Sequence, residues 1–277
     1  MSVYVIHHND TDGYGAKYAA WKKLGDAVDY FPVNYGWEFP VKELKMEDTV
    51  YLLDFTFPKD VMDEVAKKCE LVVLDHHKTA VEECGKESYF KGHTDNAGCI
   101  LAWEHFHSCP PPTLLSHIED WDLWKFEMMH TREVHAMTEV YKEMMSFWQR
   151  NELISENMLS KAYGMYDMHC HYVKTLCYKS WHEEQFGHKC VVANISYPFI
   201  SDGAHYLLEN NSEAEIAIVF SQNNDSISVS LRSRDNGPDV SAIAKKRGGG
   251  GHRCAAGFGI QGQRPISDLL SYEETSK

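Results

Sequence analysis

The sequence has no Cys-x-x-Cys pair. Its eight cysteines stand singly at Cys69, Cys84, Cys99, Cys109, Cys170, Cys177, Cys190 and Cys254, a pattern that argues against a zinc ribbon and against a disulfide framework and leaves reduced thiols as the expectation. Nowhere is there an apolar run of about eighteen residues, the length a membrane-crossing helix needs. The opening stretch Met1 to Ile6 has neither a basic region nor a long apolar core, so a non-exported, cytoplasmic protein without membrane association is expected. Internal repeats are also absent. Positive charge is scarce: 27 Lys and Arg face 41 Asp and Glu, a formal charge of -14. Each phosphate of a long nucleic acid needs a nearby cation, so the charge argues against binding long nucleic acid over an extended surface. The exception is local, where Arg232, Arg234, Lys245, Lys246, Arg247 and Arg253 are set against only Asp235 and Asp239. That patch suits a short anionic ligand.

The 277 residues, 43% of them hydrophobic, suffice for one large domain or two ordinary ones with a buried core. Strand and helix signals alternate at first: strand Val3 to Ile6, helix Tyr14 to Leu24, strand Thr49 to Leu53, helix Lys59 to Cys69 and strand Glu70 to Leu74. Such alternation predicts a parallel sheet covered by helices. From Thr113 to Phe186 the spacing is loosely helical, with no strand expected. Strand signals return at Lys189 to Ile195. A helix follows near Gly203 to Leu208, then a hairpin, Glu215 to Phe220 and Ser226 to Leu231, turning at Gln222 to Asp225. The expected fold class is α/β, with a parallel-sheet domain over residues 1–128, a helical connecting region over 129–187 and a smaller α/β domain over 188–277.

Each strand of the first region runs into acids or histidines. The first ends His8-Asn9-Asp10-Thr11-Asp12-Gly13, the second Leu52-Leu53-Asp54, and the third Val72-Val73-Leu74-Asp75-His76-His77. Asp120 and Asp122 come later, in HIEDWDLWKF, after an apparent helix. Singly, each has an ordinary reading as a turn residue, a cap or a partly buried histidine. Together they deliver carboxylate and imidazole to the carboxyl edge of one sheet, where open α/β proteins bind ligands. Converging carboxylates without a cation would repel one another by several kcal/mol or take up protons. A pair of divalent ions removes that cost, and mixed Asp and His ligation suits Mn²⁺. Two such ions about 3.5–4 Å apart can promote in-line displacement at phosphorus.

Taken in order, these four motifs resemble those of the DHH phosphoesterase superfamily. The far end adds Val229 to Ser233 (VSLRS) and Gly248 to Phe258 (GGGGHRCAAGF), which resemble the DHH-associated substrate-binding domain; the overall layout is most similar to the oligoribonuclease or nanoRNase branch. The resemblance implies that His8, Asp10, Asp12, His76 and Asp120 ligate two divalent ions, Mn²⁺ first and Mg²⁺ or Co²⁺ as alternatives. Asp54 would bridge them, with Asp122 the alternative to Asp120 as the last ligand. Asp75 and His77 would act next to the metals or near the scissile phosphate. The domain carrying the glycine run would hold the end of a nucleotide chain through Arg232, Gly249, Gly250, Gly251, His252 and Arg253. By composition alone Gly248 to Gly251 reads equally as a flexible linker, but a helix at Val240 to Lys246 before it and the apolar Cys254 to Phe258 after it favour a loop within a domain. His169-Cys170-His171, His105 and His107 read as scattered helix residues. Trp121, Trp124 and Phe126 read first as core and second as a surface on which a base stacks.

The expected activity is therefore Mn²⁺-dependent exonucleolytic hydrolysis of short single-stranded RNA or DNA oligonucleotides to mononucleotides, in a cleft that excludes long duplex. Rivals are a phosphatase acting on nucleoside 3′,5′-bisphosphate, a linear or cyclic dinucleotide phosphodiesterase, and a non-catalytic nucleotide-binding protein. A homodimer is compatible with all of them.

Overall fold

The structure, a computed structural model, describes residues 2–222 and 226–261. The chain divides into two units at Tyr166 and Asp167. In the first unit the elements run β1 (Val3–His8), α1 (Thr11–Leu24), β2 (Asp29–Val33), β3 (Thr49–Leu53), α2 (Lys59–Lys68), β4 (Glu70–Leu74), α3 (Lys78–Cys84), α4 (Gly98–Phe106), α5 (Thr113–Asp122), α6 (Thr131–Tyr141), α7 (Met145–Arg150) and the start of α8 (Glu156–Cys177).

The strands form a parallel sheet in the order β2-β1-β3-β4, with Ile6 paired to Leu52 and Leu52 to Val73. Val5, Ile6, Val50, Leu52, Leu53 and Val73 are fully buried, as strands covered on both faces require. One face packs on residues of α1, α4 and α5 such as Ala19, Trp103 and Leu115, the other on Met62 and Val65 of α2 and Ala80 of α3. Each such aliphatic side chain contributes about 1.5–3 kcal/mol by leaving water. β2 was not expected. It carries Pro32, which cannot donate to a ladder, and it occupies the edge of the sheet, where that omission costs nothing.

The second unit continues with β5 (Trp181–Gln185), β6 (His188–Asn194), α9 (Ile200–Asn210), β7 (Ile216–Gln222), β8 (Ser226–Ser233), α10 (Val240–Lys245), β9 (Gly250–His252) and β10 (Ala255–Gln261). Its mixed sheet has the order β5-β6-β7-β8-β10-β9. β6 and β7 are parallel and need a crossover, which α9 supplies. Val191, Ala204, Leu207 and Val219 close one face of the sheet, and Val192, Leu231, Val240 and Ala244 the other.

Here the expectation that no strand lies between Thr113 and Phe186 is corrected. After α8 the chain forms β5, an edge strand whose exposed polar residues gave no apolar alternation to read. β7 and β8 pair as the expected hairpin, and its turn at 223–225 lies outside the described residues. The linker reading of the glycine run is excluded, because β9 pairs with β10, Gly251 opposite Ala256 and His252 opposite Ala255. A Cβ on Gly249 would stand 2.1 Å from the Gly257 carbonyl oxygen, and Gly251 has φ +133°. Two backbones meet there too closely for side chains.

Candidate metal centre

Asp10 caps α1, its Oδ1 accepting from Gly13 N–H at 2.9 Å. The capping reading is thus correct, but it does not use up the residue, because Oδ2 lies 2.6 Å from Nδ1 of His8, the last residue of β1. Asp12, two residues on and buried, accepts Gly98 N–H at 2.7 Å and Cys99 N–H at 2.8 Å on its two oxygens. These donors are the first turn of α4, whose dipole favours a carboxylate.

Asp54 leaves β3 in the left-handed region, φ +56°, while its N–H donates to Leu74 O at 2.8 Å. A non-glycine residue held there costs about 1–3 kcal/mol. Gly98 makes room for it: a Cβ at Gly98 would come within 2.5 Å of Asp54 Cβ.

His76 Nε2 stands 3.3 Å from Asp54 Oδ1, 3.3 Å from Asp122 Oδ2 and 3.6 Å from Asp12 Oδ2. His8 Nδ1 is 3.7 Å from Asp54 Oδ2. Asp75, fully buried, accepts from His77 on Oδ1, at 3.0 Å from the backbone N–H and 2.7 Å from Nδ1, and so sets the imidazole, which lies 3.8 Å from Asp54 Oδ1. Three groups result, in each of which the donor atoms lie within 4.8 Å of one another: His8, Asp10 and Asp54; Asp12, His76 and Asp122; Asp54, His76 and His77.

Both carboxylate oxygens of Asp54, Nδ1 of His8 and Oδ2 of Asp75 are buried with no hydrogen bond of acceptable geometry. Buried polar atoms are ordinarily satisfied, and a carboxylate with neither oxygen bonded calls for a cation. The electrostatics agree. Burial works against charge on His8 and His76, yet neighbouring carboxylates push both up to about 11, Asp10 and Asp54 acting on the first and Asp54, Asp122 and Asp12 on the second. Burial and the other acids raise Asp12, and raise Asp122 to about 6, whereas His76 and His8 hold Asp54 below the usual carboxylate range in spite of burial. Without metal, protons neutralise the cluster; the donor set fits divalent ions that would replace them.

One expected ligand is corrected. Asp120 turns away from the cluster: Oδ2 accepts the Thr131 hydroxyl at 2.5 Å and Met128 N–H at 3.2 Å, and Oδ1 accepts Glu127 N–H at 2.9 Å. Asp122 is the acid that reaches His76. Sequence reasoning also missed His7, Gly98 and Tyr35. His7 is buried, its Nδ1 2.8 Å from His8 O, and burial lowers it to about 3, so it stays neutral. Tyr35 lies beyond β2, its ring centroid 5.4 Å from His8. Burial, slight by area at 58% exposure, and the carboxylates of Asp75, Asp54 and Asp10 all favour its protonated form. Gly98 and Tyr35 lie in stretches whose composition does not stand out, whereas His7 directly precedes the His8 to Gly13 motif.

In the second unit Arg232 donates to Ser230 Oγ at 3.1 Å, Leu231 O at 3.1 Å and Ser201 Oγ at 3.2 Å, and burial lowers its pKa. Arg253 donates to Asp235 O and Gly237 O and so ties down a loop. Gly250 has open space where a side chain would stand, and Gly250, Gly251 and His252 are exposed. His169 pairs with Asp202 at 2.7 Å, and His107 Nε2 lies 2.9 Å from Ala19 O. No helix of the described residues is long and apolar enough to cross a membrane.

Residues 196–273 match the DHHA1 domain family. Among curated proteins, uncharacterized protein R106 of Acanthamoeba polyphaga mimivirus is 27% identical over 99% of this chain and 70% of its own length. Among solved structures, a DHH domain described as a member of the s1p family of ribosomal proteins superposes with a TM-score of 0.60 at 15% identity, covering 92% of this chain and 82% of the other. The pGpG-specific phosphodiesterase PggH of Vibrio cholerae gives 0.53 at 12%, covering 98% and 96%. RecJ of Thermus thermophilus in complex with Mn²⁺ gives 0.52 at 12%, covering 97% and 50%. The parallel sheet followed by a second, mixed sheet thus matches DHH-family folds.

Proposed function

We propose that this protein is a divalent-metal phosphodiesterase that removes mononucleotides from short single-stranded oligonucleotides, with Mn²⁺ as the preferred ion. The observation that carries the reading is Asp54: buried, in left-handed backbone, with neither carboxylate oxygen hydrogen-bonded, and shared by two of the three donor groups. His8, Asp10 and Asp54 would hold one ion and Asp12, His76 and Asp122 the other, with Asp54 facing both. When bound, such ions supply Lewis acidity and charge neutralisation for in-line attack at phosphorus. The amide donors of α4 keep Asp12 aimed. Asp75 keeps His77 in one orientation, from which the imidazole meets the reacting phosphate. Arg232, His252 and the glycines of the DHHA1 domain would bind the anionic end of the substrate.

The choice of nucleotide substrates over inorganic polyphosphates is supported by Trp124, 41% exposed two residues past Asp122, with Trp121 and Phe126 beside it. It is supported also by fold relatives described as an exonuclease and as a pGpG-specific phosphodiesterase; the latter brings dinucleotides within the expected range. The test is a time course with Mn²⁺ on end-labelled RNAs from dinucleotides to long oligomers, with a nucleoside 3′,5′-bisphosphate in parallel. Stepwise release of mononucleotides, fastest from the shortest chains, is expected and is lost in Asp54→Asn. Turnover of the bisphosphate alone would replace this reading with a phosphatase.

A further inference from the structure

The candidate centre is rich in groups that bind cations and poor in groups that bind anions. Among the described residues, no lysine or arginine forms an ion pair with Asp10, Asp12, Asp54, Asp75 or Asp122; their ion-pair partners are the histidines. Beside His77, a phosphoryl group arriving at the metals can therefore take a further donor of this unit only from a neutral group.

The loop after β2 brings one. His8 of β1 pairs in register with Val33, so the residues that follow Val33 emerge at the carboxyl edge beside His8. Tyr35 is the second of them. Its ring lies 4.8 Å from Phe55, 5.4 Å from His8 and 6.2 Å from His77 between centroids. Phe55 is itself 1% exposed and packs at 5.0 Å on Phe57, so the ring rests against fixed core. Gly36, at φ +86°, turns the chain directly after it. The Tyr35 hydroxyl makes no hydrogen bond among the described residues, although carboxylates and histidines surround it and more than half of the residue is exposed. A donor fixed by its ring, left without an acceptor and placed beside the candidate ligands His8 and His77 is arranged for an incoming anion.

We infer that Tyr35 is a catalytic residue whose hydroxyl donates a hydrogen bond to a phosphoryl oxygen of the substrate at the candidate metal centre. The inference rests on the phosphodiesterase reading for its substrate, and it extends that reading to the groups that recognise the phosphate.

Tyr35→Phe keeps the ring and removes only the donor. Two quantities are measured on Mn²⁺-loaded full-length protein: inorganic phosphate affinity by calorimetry, and kcat and KM on a dinucleotide. Mn²⁺ affinity and melting temperature are followed alongside. A hydrogen bond to a charged acceptor contributes about 1.5–3 kcal/mol, so phosphate affinity is expected to fall about tenfold or more and kcat to fall by a similar factor. Mn²⁺ affinity and melting temperature should stay as in the wild type. Equal phosphate affinity in the two proteins, no phosphate binding by the loaded wild type, or a parallel loss of Mn²⁺ affinity would each overturn the assignment, the last by placing Tyr35 as a support for His8. Should the wild type cleave no phosphodiester while Tyr35→Phe still weakens phosphate, the anion contact stands and the phosphodiesterase reading falls.

Discussion

Two acids two residues apart on α5 have opposite assignments, and exchanging each for its amide separates them. Asp122 is raised to about 6 by burial and by Asp54 and Asp10, against the opposing pull of His76. By area Asp122 is exposed, its side chain 27% accessible, so solvent screening cuts the roughly 3 kcal/mol that such a shift from 3.8 represents to about 1 kcal/mol. Because the folded carboxyl binds its proton more tightly than the unfolded one, the metal-free protein loses that stability as pH rises from about 4 through about 6. Asp122→Asn cannot ionise. In EDTA at pH 8 it should therefore be more stable than the wild type, by about 1 kcal/mol in urea denaturation, with the difference shrinking toward pH 4. Mn²⁺ affinity should move the other way. Loss of a supporting partner of a metal ligand costs 10- to 100-fold, so loss of a carboxylate facing the ion should cost more than about a hundredfold. Asp120→Asn is the mirror case. It disturbs hydrogen bonds from Thr131, Glu127 and Met128, so it should destabilise by about 2–4 kcal/mol at either pH and leave Mn²⁺ affinity within a few-fold. The geometry would be refuted if Asp120→Asn abolished Mn²⁺ binding while Asp122→Asn retained it.

Gly98→Ala gains about 1 kcal/mol of helix propensity but sets a Cβ 2.5 Å from Asp54 Cβ; displacement of Asp54 should dominate, and calorimetry is expected to show Mn²⁺ affinity reduced 10- to 100-fold. Asp75→Asn leaves the cluster's facing ligands in place but loosens His77, so kcat should fall at least about tenfold while Mn²⁺ affinity measured by electron paramagnetic resonance stays near wild type; an equal loss of both would make Asp75 a support for the metals. His8 and His76, both pushed up to about 11 by carboxylates, are protonated at pH 7 in the metal-free protein and must give up those protons to bind metal. Calorimetry of Mn²⁺ binding in buffers of different ionisation enthalpy should then report the release of about two protons, and a value near zero would remove these histidines from the ligand set. Without metal, the stability these two contribute is complete below about pH 6.5 and is lost as pH climbs toward 11.

Much of this centre was legible in the chain because strands of a parallel sheet end at one edge. An apolar run that stops at an acid or histidine names both the strand and the residue at its tip, and His8, Asp54, Asp75 and His76 were readable on that ground. Asp10 and Asp12 followed from their spacing after the first strand. The glycine run was readable as part of a domain because apolar segments bracket it, and it proved to be a strand paired with β10.

Other choices belong to packing. Residues two apart on a helix point about 200° from one another, so which of Asp120 and Asp122 faces the cluster depends on how α5 is rotated against α1 and α4, and no local pattern records that angle. Strand β2 hid behind Pro32, acceptable only because tertiary structure makes it an edge. Gly98 carries no chemistry in sequence; its meaning is the absent Cβ beside Asp54 and the N–H offered to Asp12. Tyr35 has meaning only because β1 and β2 pair in a register that lifts it beside His8. Residue order along the chain determined the kind of atoms available at the sheet edge. Helix rotation, strand register and close backbone contact, which sum contributions from segments far apart in sequence, decided which of those atoms meet.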